Sequence, residues 1–273
     1  MSIIQAISLG ILQGLTEFLP ISSSGHLVLL PYFLNWELPL KETFIFDVLV
    51  QIGTLVAVIL YFRKDLGRII SGFIRGLFKG TPLATHEARL GWLLIIATIP
   101  AGLAGILFND LVEEAFSSPL FAGIGLLLTA VLLFLGEKIS QNLGDMHDIT
   151  VSTALVMGVM QALALFPGVS RSGATIAGGM TRHLKRVDAG RFSFLMSIPI
   201  MLAAGSLSTY QMITEVPDLV SFLPTMAIGF FTSMVVGYIA IRWLLKFIVN
   251  HSLNYFAVYC LLLGSLTILT LVL

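Results

Sequence analysis

Two short stretches hold the residues able to do chemistry. The first runs Gln13-Gly14-Leu15-Thr16-Glu17, continues through Phe18-Leu19-Pro20 and reaches Ser22-Ser23-Ser24-Gly25-His26. Gln13 and Glu17 are four apart, so on a helix they share one face. Together they suit a divalent cation, because Mg²⁺ is usually held by one or two carboxylates plus phosphate oxygens. The hydroxyls of Ser22, Ser23 and Ser24, with the amides of a turn, suit an anion. His26 titrates in the range that general acid or base work requires.

The second stretch is Pro167-Gly168-Val169-Ser170-Arg171-Ser172-Gly173-Ala174-Thr175. A guanidinium matches phosphate oxygens two at a time, which assigns that task to Arg171. Ser170, Ser172 and Thr175 add donors, and Gly168 and Gly173 permit close backbone approach. A helix opening at Gly173 would add its free amides and dipole. Together these residues form a phosphate-handling site. Arg171 neutralises phosphoryl oxygens in the transition state. His26 activates a serine or water, or protonates the leaving group.

The elements that must position these residues are membrane helices. The chain has 273 residues, 57% hydrophobic and 11% charged, and a mean hydropathy of +0.97. Soluble domains are about 25% charged. This composition excludes a soluble globular protein and a disordered one, and apolar and polar residues alternate too little for a β-barrel. With no net charge, nothing points to nucleic acid. The fold class is therefore an all-α polytopic membrane protein.

Six segments are apolar enough to span: 44–62, 90–108, 119–136, 192–208, 222–241 and 255–273. The chemistry lies in two others, 3–34 and 151–181, which are interrupted at Pro20–His26 and Pro167–Gly173. A polar break at membrane depth survives only where it is buried in protein or lines a wet cavity. Both are read as re-entrant helical hairpins. Glu17 and Arg171 then lie inside the bilayer, where ionisable groups are functional by default; a purely structural ion pair is the lesser reading. Cys260, the single cysteine, sits in an apolar run as a lipid-facing or packing residue.

Charge bias orients this arrangement. All but two of the 15 Lys and Arg residues fall in loops on one side, read as cytoplasmic; the exceptions are Lys41, outside, and Arg171. Glu113, Glu114, Glu215 and Asp218 fall in the outer loops. Trp92 and Trp243 stand at inner span ends as interfacial anchors. Leu66, Ile69, Ile70, Phe73, Ile74 and Leu77 recur at helical spacing among basic residues, which predicts a helix lying on the inner surface. No Lys or Arg precedes Lys41, so no basic leader region is read and the first apolar stretch is expected to be retained.

The two broken segments also resemble each other. Setting Gly10–Gly25 against Gly158–Gly173 without gaps matches Gly10/Gly158, Gln13/Gln161, Leu15/Leu163, Phe18/Phe166, Ser22/Ser170, Ser24/Ser172 and Gly25/Gly173. Each is followed by three spans, so the second copy enters upside down. This is an inverted-topology repeat whose interrupted segments meet near the midplane. A single membrane domain over 1–273 is expected, with repeat one at about 1–136 and repeat two at about 150–273. Such a plan also suits a transporter or flippase for a lipid carrying phosphate, which under the resemblance given next would be an isoprenyl phosphate lipid.

With Gln13–Glu17 leading to Ser-Ser-Ser-Gly-His, and Pro-Gly-x-Ser-Arg-Ser-Gly-x-Thr at 167–175, the chain resembles the bacterial undecaprenyl-diphosphate phosphatase family, also called the bacitracin-resistance protein family. The resemblance implies hydrolysis of undecaprenyl diphosphate to the monophosphate, with a divalent metal such as Mg²⁺ or Ca²⁺, at the outer face of the inner membrane. It implies catalytic roles for Glu17, His26 and Arg171, with the serines and Thr175 on phosphate, and leaves serine or water open as nucleophile; Ser23 is the choice. Gln13 stands where the family often has Glu and supplies no negative charge. The implied partners are the membrane and the isoprenyl diphosphate lipid, with a homodimer left open.

Overall fold

The computed structural model describes residues 2–36, 40–116, 118–215 and 219–272; Asp218 lies outside them, as do the side chains of Lys41, Glu113 and Glu215. The described residues contain no β-strand and form twelve α-helices: α1 Ile3–Phe18, α2 Ser23–Leu34, α3 Leu40–Tyr61, α4 Arg63–Phe78, α5 His86–Leu107, α6 Asn109–Phe116, α7 Pro119–Ile139, α8 Val151–Leu163, α9 Arg171–Thr181, α10 Arg186–Glu215, α11 Leu219–Asn250 and α12 Asn254–Val272. Five of them, α5, α7, α10, α11 and α12, are long and apolar enough to cross a membrane; α3 is a sixth if it counts as one span with α4. The chain is a multi-pass membrane protein. Along α5, Ile95, Ile99, Leu103 and Ile106 are exposed, as expected of a face that meets lipid rather than water.

The boundaries follow from local chemistry. Ser2 caps α1 in a reciprocal box, accepting from the Gln5 amide at 3.2 Å while Gln5 Oε1 accepts from the Ser2 amide at 2.8 Å. The helix stops short of Pro20, whose ring disfavours helical geometry in the residue before it. Helices α1 and α8 have 16 and 13 residues, short of the ~20 a span needs. Helices α10 and α11 have 30 and 32 residues and outrun the apolar segments 192–208 and 222–241. Arg186 and Arg191 on α10, and Arg242 and Lys246 on α11, end the apolar run without ending the helix, because both residue types are good helix formers.

Helix α1 lies along α11 because α1 has no side chain at the crossing. A Cβ on Gly14 would lie 2.8 Å from the Ser233 carbonyl oxygen, and one on Gly10 would lie 3.0 Å from that of Gly229. Phe18, at the end of α1, is fully buried and meets Phe194 of α10 edge to face at 5.4 Å. Helix α4 leaves α3 at 77°. Its Ile69 is buried, while Ile70, Ile74 and Leu77 are exposed. Phe73 packs on Trp92 at 5.1 Å, and Asp65 receives Arg191 of α10 at 3.3 Å.

One end of the bundle is tied by Glu137. Arg186 donates to it through Nε at 2.8 Å and NH2 at 2.6 Å, and the Leu253 amide donates at 2.7 Å. This joins the end of α7 to the starts of α10 and α12. Glu137→Ala leaves Arg186 uncompensated and is expected to destabilise the protein by about 2 kcal/mol; a fully buried pair would cost more. The melting temperature in detergent should fall, and the Glu137→Ala/Arg186→Ala pair should recover part of the loss. An unchanged melting temperature in Glu137→Ala would contradict this reading of the joint.

Candidate active site

The breaks after α1 and α8 are built alike. Ser22 caps α2, accepting from the Gly25 amide at 3.2 Å, and Ser170 caps α9, accepting from the Gly173 amide at 3.0 Å. In both, the capping hydroxyl also lies 3.2 Å from the hydroxyl two residues on, Ser24 or Ser172. The first helical residue is Ser23 in one break and Arg171 in the other. Both turn onto the same carboxylate. Arg171 NH2 donates to Glu17 Oε1 at 2.8 Å, and Ser23 Oγ donates to Oε2 at 2.6 Å. Gln13 Nε2 completes the set, donating to Oε2 at 3.1 Å from one turn earlier on α1.

Glu17 thus sits between the two breaks with both oxygens engaged, and is almost wholly buried. A carboxylate at such depth requires charge compensation and donors; Arg171 supplies the charge. Two polar atoms here remain unsatisfied: Gln13 Oε1 and Arg171 NH1 are buried without a partner. A bare guanidinium nitrogen beside an anchored one is a donor aimed at a ligand, since an unpaired buried donor is costly.

The breaks also lock to each other. Ser172 donates to the Leu19 carbonyl at 3.0 Å. Gly25 and Gly168 meet so closely that a Cβ on Gly25 would lie 3.0 Å from the Gly168 Cα. Thr129 of α7 staples the second loop, donating to the Gly168 carbonyl at 3.0 Å and accepting from the Ser170 amide at 2.8 Å. Gly168 has a φ of +84°, and a Cβ there would strike the Ala122 carbonyl oxygen. Gly168→Ala combines left-handed strain with a backbone clash and should destabilise by about 3 kcal/mol or more. A detergent melting curve matching wild type would refute this.

The structure corrects several sequence expectations. Ser22, Ser170, Ser172, Gly173 and Thr175 do not present donors to the site. Ser22 and Ser170 accept as caps, with their own hydroxyls 3.2 Å from those of Ser24 and Ser172, and the Ser170 cap occupies the Gly173 amide; α9 opens at Arg171, two residues before Gly173. Thr175 is fully buried, bonded to the Arg171 carbonyl at 2.7 Å and to Ser193 of α10 at 2.6 Å. Gly168 shapes its loop. Ser24 remains half-buried beside Ser23. Cys260 is buried 3.7 Å from the Pro20 carbonyl, so it packs on the first break instead of facing lipid.

His26 does not meet Ser23 or Glu17 through a hydrogen bond. Its Nδ1 lies 2.6 Å from the Ser22 carbonyl and its Nε2 lies 2.7 Å from the Tyr259 hydroxyl. Three partners escaped the sequence reading: Thr54, 3.5 Å from Gln13 Nε2, Thr129 and Tyr259. Each is a hydroxyl-bearing residue in an apolar span, where Ser, Thr and Tyr are common without function. Their only sequence signal was their depth in the span.

Gln13 Oε1 and the Glu17 carboxylate are oxygen ligands suited to a hard divalent cation. Among the described residues no three His, Cys, Asp or Glu side chains converge to hold a metal. A cation here would take only these two side chains from the protein.

Comparison with known proteins gives the family. The family model "Bacitracin resistance protein BacA" matches residues 6–266. An undecaprenyl-diphosphatase of Methanosphaera stadtmanae is 42% identical, covering 98% of each chain. That of Rubrobacter xylanophilus is 42% identical over 97% of each. That of Chlorobaculum tepidum is 40% identical over 97% of this chain and 95% of its own. With matches of that length, the chain belongs to the bacitracin resistance protein BacA family.

Proposed function

We propose that this protein is a membrane phosphatase that hydrolyses undecaprenyl diphosphate to undecaprenyl phosphate and inorganic phosphate, recycling the carrier lipid for cell-wall synthesis. The observation that carries the reading is the Glu17 carboxylate shared by Ser23 and Arg171, with Arg171 NH1 left unpartnered beside it. The terminal phosphoryl group binds at Arg171, which keeps its hold on Glu17 through NH2 and offers NH1 to the phosphate. Ser23 attacks the terminal phosphorus as its proton passes to Glu17 Oε2, and the bridging P–O bond breaks to release the lipid monophosphate. The departing monophosphate takes that proton from Glu17; water, deprotonated at Glu17, then cleaves the phosphoserine, and the proton returns to Ser23 Oγ as its P–O bond breaks. His26 is assigned to the leaving-group side of the reaction; at rest its ring nitrogens face Ser22 and Tyr259 and not Ser23. A divalent cation at Gln13 and Glu17 would supply charge neutralisation to the diphosphate.

The finer architecture belongs to the same proposal. We read α1–α2 and α8–α9 as re-entrant hairpins of an inverted repeat. Supporting this are the matching Ser caps, the equivalent positions of Ser23 and Arg171, and helices too short to span. Basic residues gather at the end of the bundle tied by Glu137, Asp65 and Arg191. That end is the cytoplasmic one, and the site opens to the opposite face of the inner membrane. Two experiments test these points. Phosphate release should need Mg²⁺ or Ca²⁺ and stop with EDTA; full activity in EDTA would remove the cation from the proposal. A Glu113→Cys variant should label from outside intact cells, and labelling only from the cytoplasmic side would invert the topology.

A further inference from the structure

We infer that Tyr259 of α12 is a positioning residue for His26, fixing its ring plane and holding its Nε2; this rests on the reading of His26 as a participant in hydrolysis. The Ser22 carbonyl can only accept a hydrogen bond, so at 2.6 Å the His26 Nδ1 must carry the proton. In a neutral ring Nε2 then has the lone pair, and the Tyr259 hydroxyl donates to it at 2.7 Å. The two rings are nearly parallel, at 5° with centroids 5.7 Å apart. Both nitrogens of the imidazole are thus held.

The holding groups are themselves fixed. Ser22 has a φ of +71°, a left-handed conformation that few side-chain residues adopt, and this geometry turns its carbonyl back onto the ring one turn later. Tyr259 is anchored by its neighbour: Cys260 lies against the Pro20 carbonyl of the same break. His26 is almost wholly buried, whereas Tyr259 is 42% exposed on the outer surface of α12. Tyr259 therefore stands between His26 and the bilayer, from which a lipid substrate arrives. An imidazole held this way keeps its lone pair on Nε2, under the Tyr259 hydroxyl, so protons reach or leave that nitrogen on the Tyr259 side.

Tyr259→Phe keeps the ring contact and removes only the hydroxyl. Steady-state hydrolysis of farnesyl diphosphate by detergent-purified protein should show kcat reduced about tenfold with KM and melting temperature unchanged. In a His26→Ala background, Tyr259→Phe should cause no further loss. Ring ¹⁵N spectra, with His26 assigned from its absence in His26→Ala, should show the Nδ1–H tautomer in both proteins and a shifted Nε2 resonance in Tyr259→Phe, where the hydrogen bond to Nε2 is gone. Wild-type kcat and an unchanged spectrum in Tyr259→Phe would overturn the proposal, as would equal losses in both backgrounds. Full activity in His26→Ala would instead defeat the reading of His26 itself.

Discussion

Arg171→Lys is expected to lower phosphate release by about 10³-fold, or roughly 4 kcal/mol of transition-state stabilisation, in a protein that still folds. Arg171 has two tasks in this geometry. NH2 holds Glu17 Oε1 at 2.8 Å, while NH1 is buried, unpartnered and free for the phosphoryl group. A guanidinium performs both because its nitrogens are fixed in one plane. An ammonium at the same place is a single point charge. It can neutralise Glu17 or bind the phosphate, but cannot do both in the required directions. Because Lys keeps the charge, the buried Glu17 stays compensated and the fold survives. Initial rates at saturating isoprenyl diphosphate check this, with a melting curve alongside. Near wild-type turnover would mean that Arg171 only pairs with Glu17.

Glu17→Gln should cost at least as much, about 10³-fold or more in kcat. Glu17 accepts from Arg171, Ser23 and Gln13 at once, which only a carboxylate with two accepting oxygens can do. An amide turns one of those oxygens into a donor. It must then face away from the Arg171 guanidinium, so its NH₂ meets the Ser23 hydroxyl or the Gln13 amide. Ser23 loses the group that takes its proton, and the cation loses the one charged ligand placed for it. The loss should persist at saturating Mg²⁺, which separates it from weakened metal binding alone. Recovery of wild-type kcat at high Mg²⁺ would confine Glu17 to a metal-binding role.

Much of this site was legible because its first constraints are local. Gln13 and Glu17 share a helical face by spacing alone. Gly10 and Gly14 mark the close crossing that α11 makes. The interrupted motifs show that polar groups sit where lipid excludes water. What the sequence concealed is long-range. Tyr259 meets His26 across 233 residues, and Thr129 reaches the second loop from another helix; nothing near either residue marks it.

The serines were misread for a different reason. A serine before a helix serves equally as an anion ligand and as an N-cap, and local capping won at Ser22 and Ser170. Thr175 shows the same competition, since a helical threonine readily bonds the carbonyl four residues back. The repeat alignment held more than identities. Its mismatches Ser23/Arg171 and Glu17/Leu165 record how the halves differ. One break supplies the carboxylate and hydroxyl, and the other supplies the guanidinium.

The central claim is that one hydrolytic centre is assembled from both breaks. The most direct test is inorganic phosphate release from undecaprenyl or farnesyl diphosphate by detergent-purified protein with Mg²⁺, beside Glu17→Ala and Arg171→Ala. The predicted result is metal-dependent release by the wild type that is lost in both variants. Release that survives either substitution, or no release from folded wild-type protein that still binds the lipid, would contradict the claim.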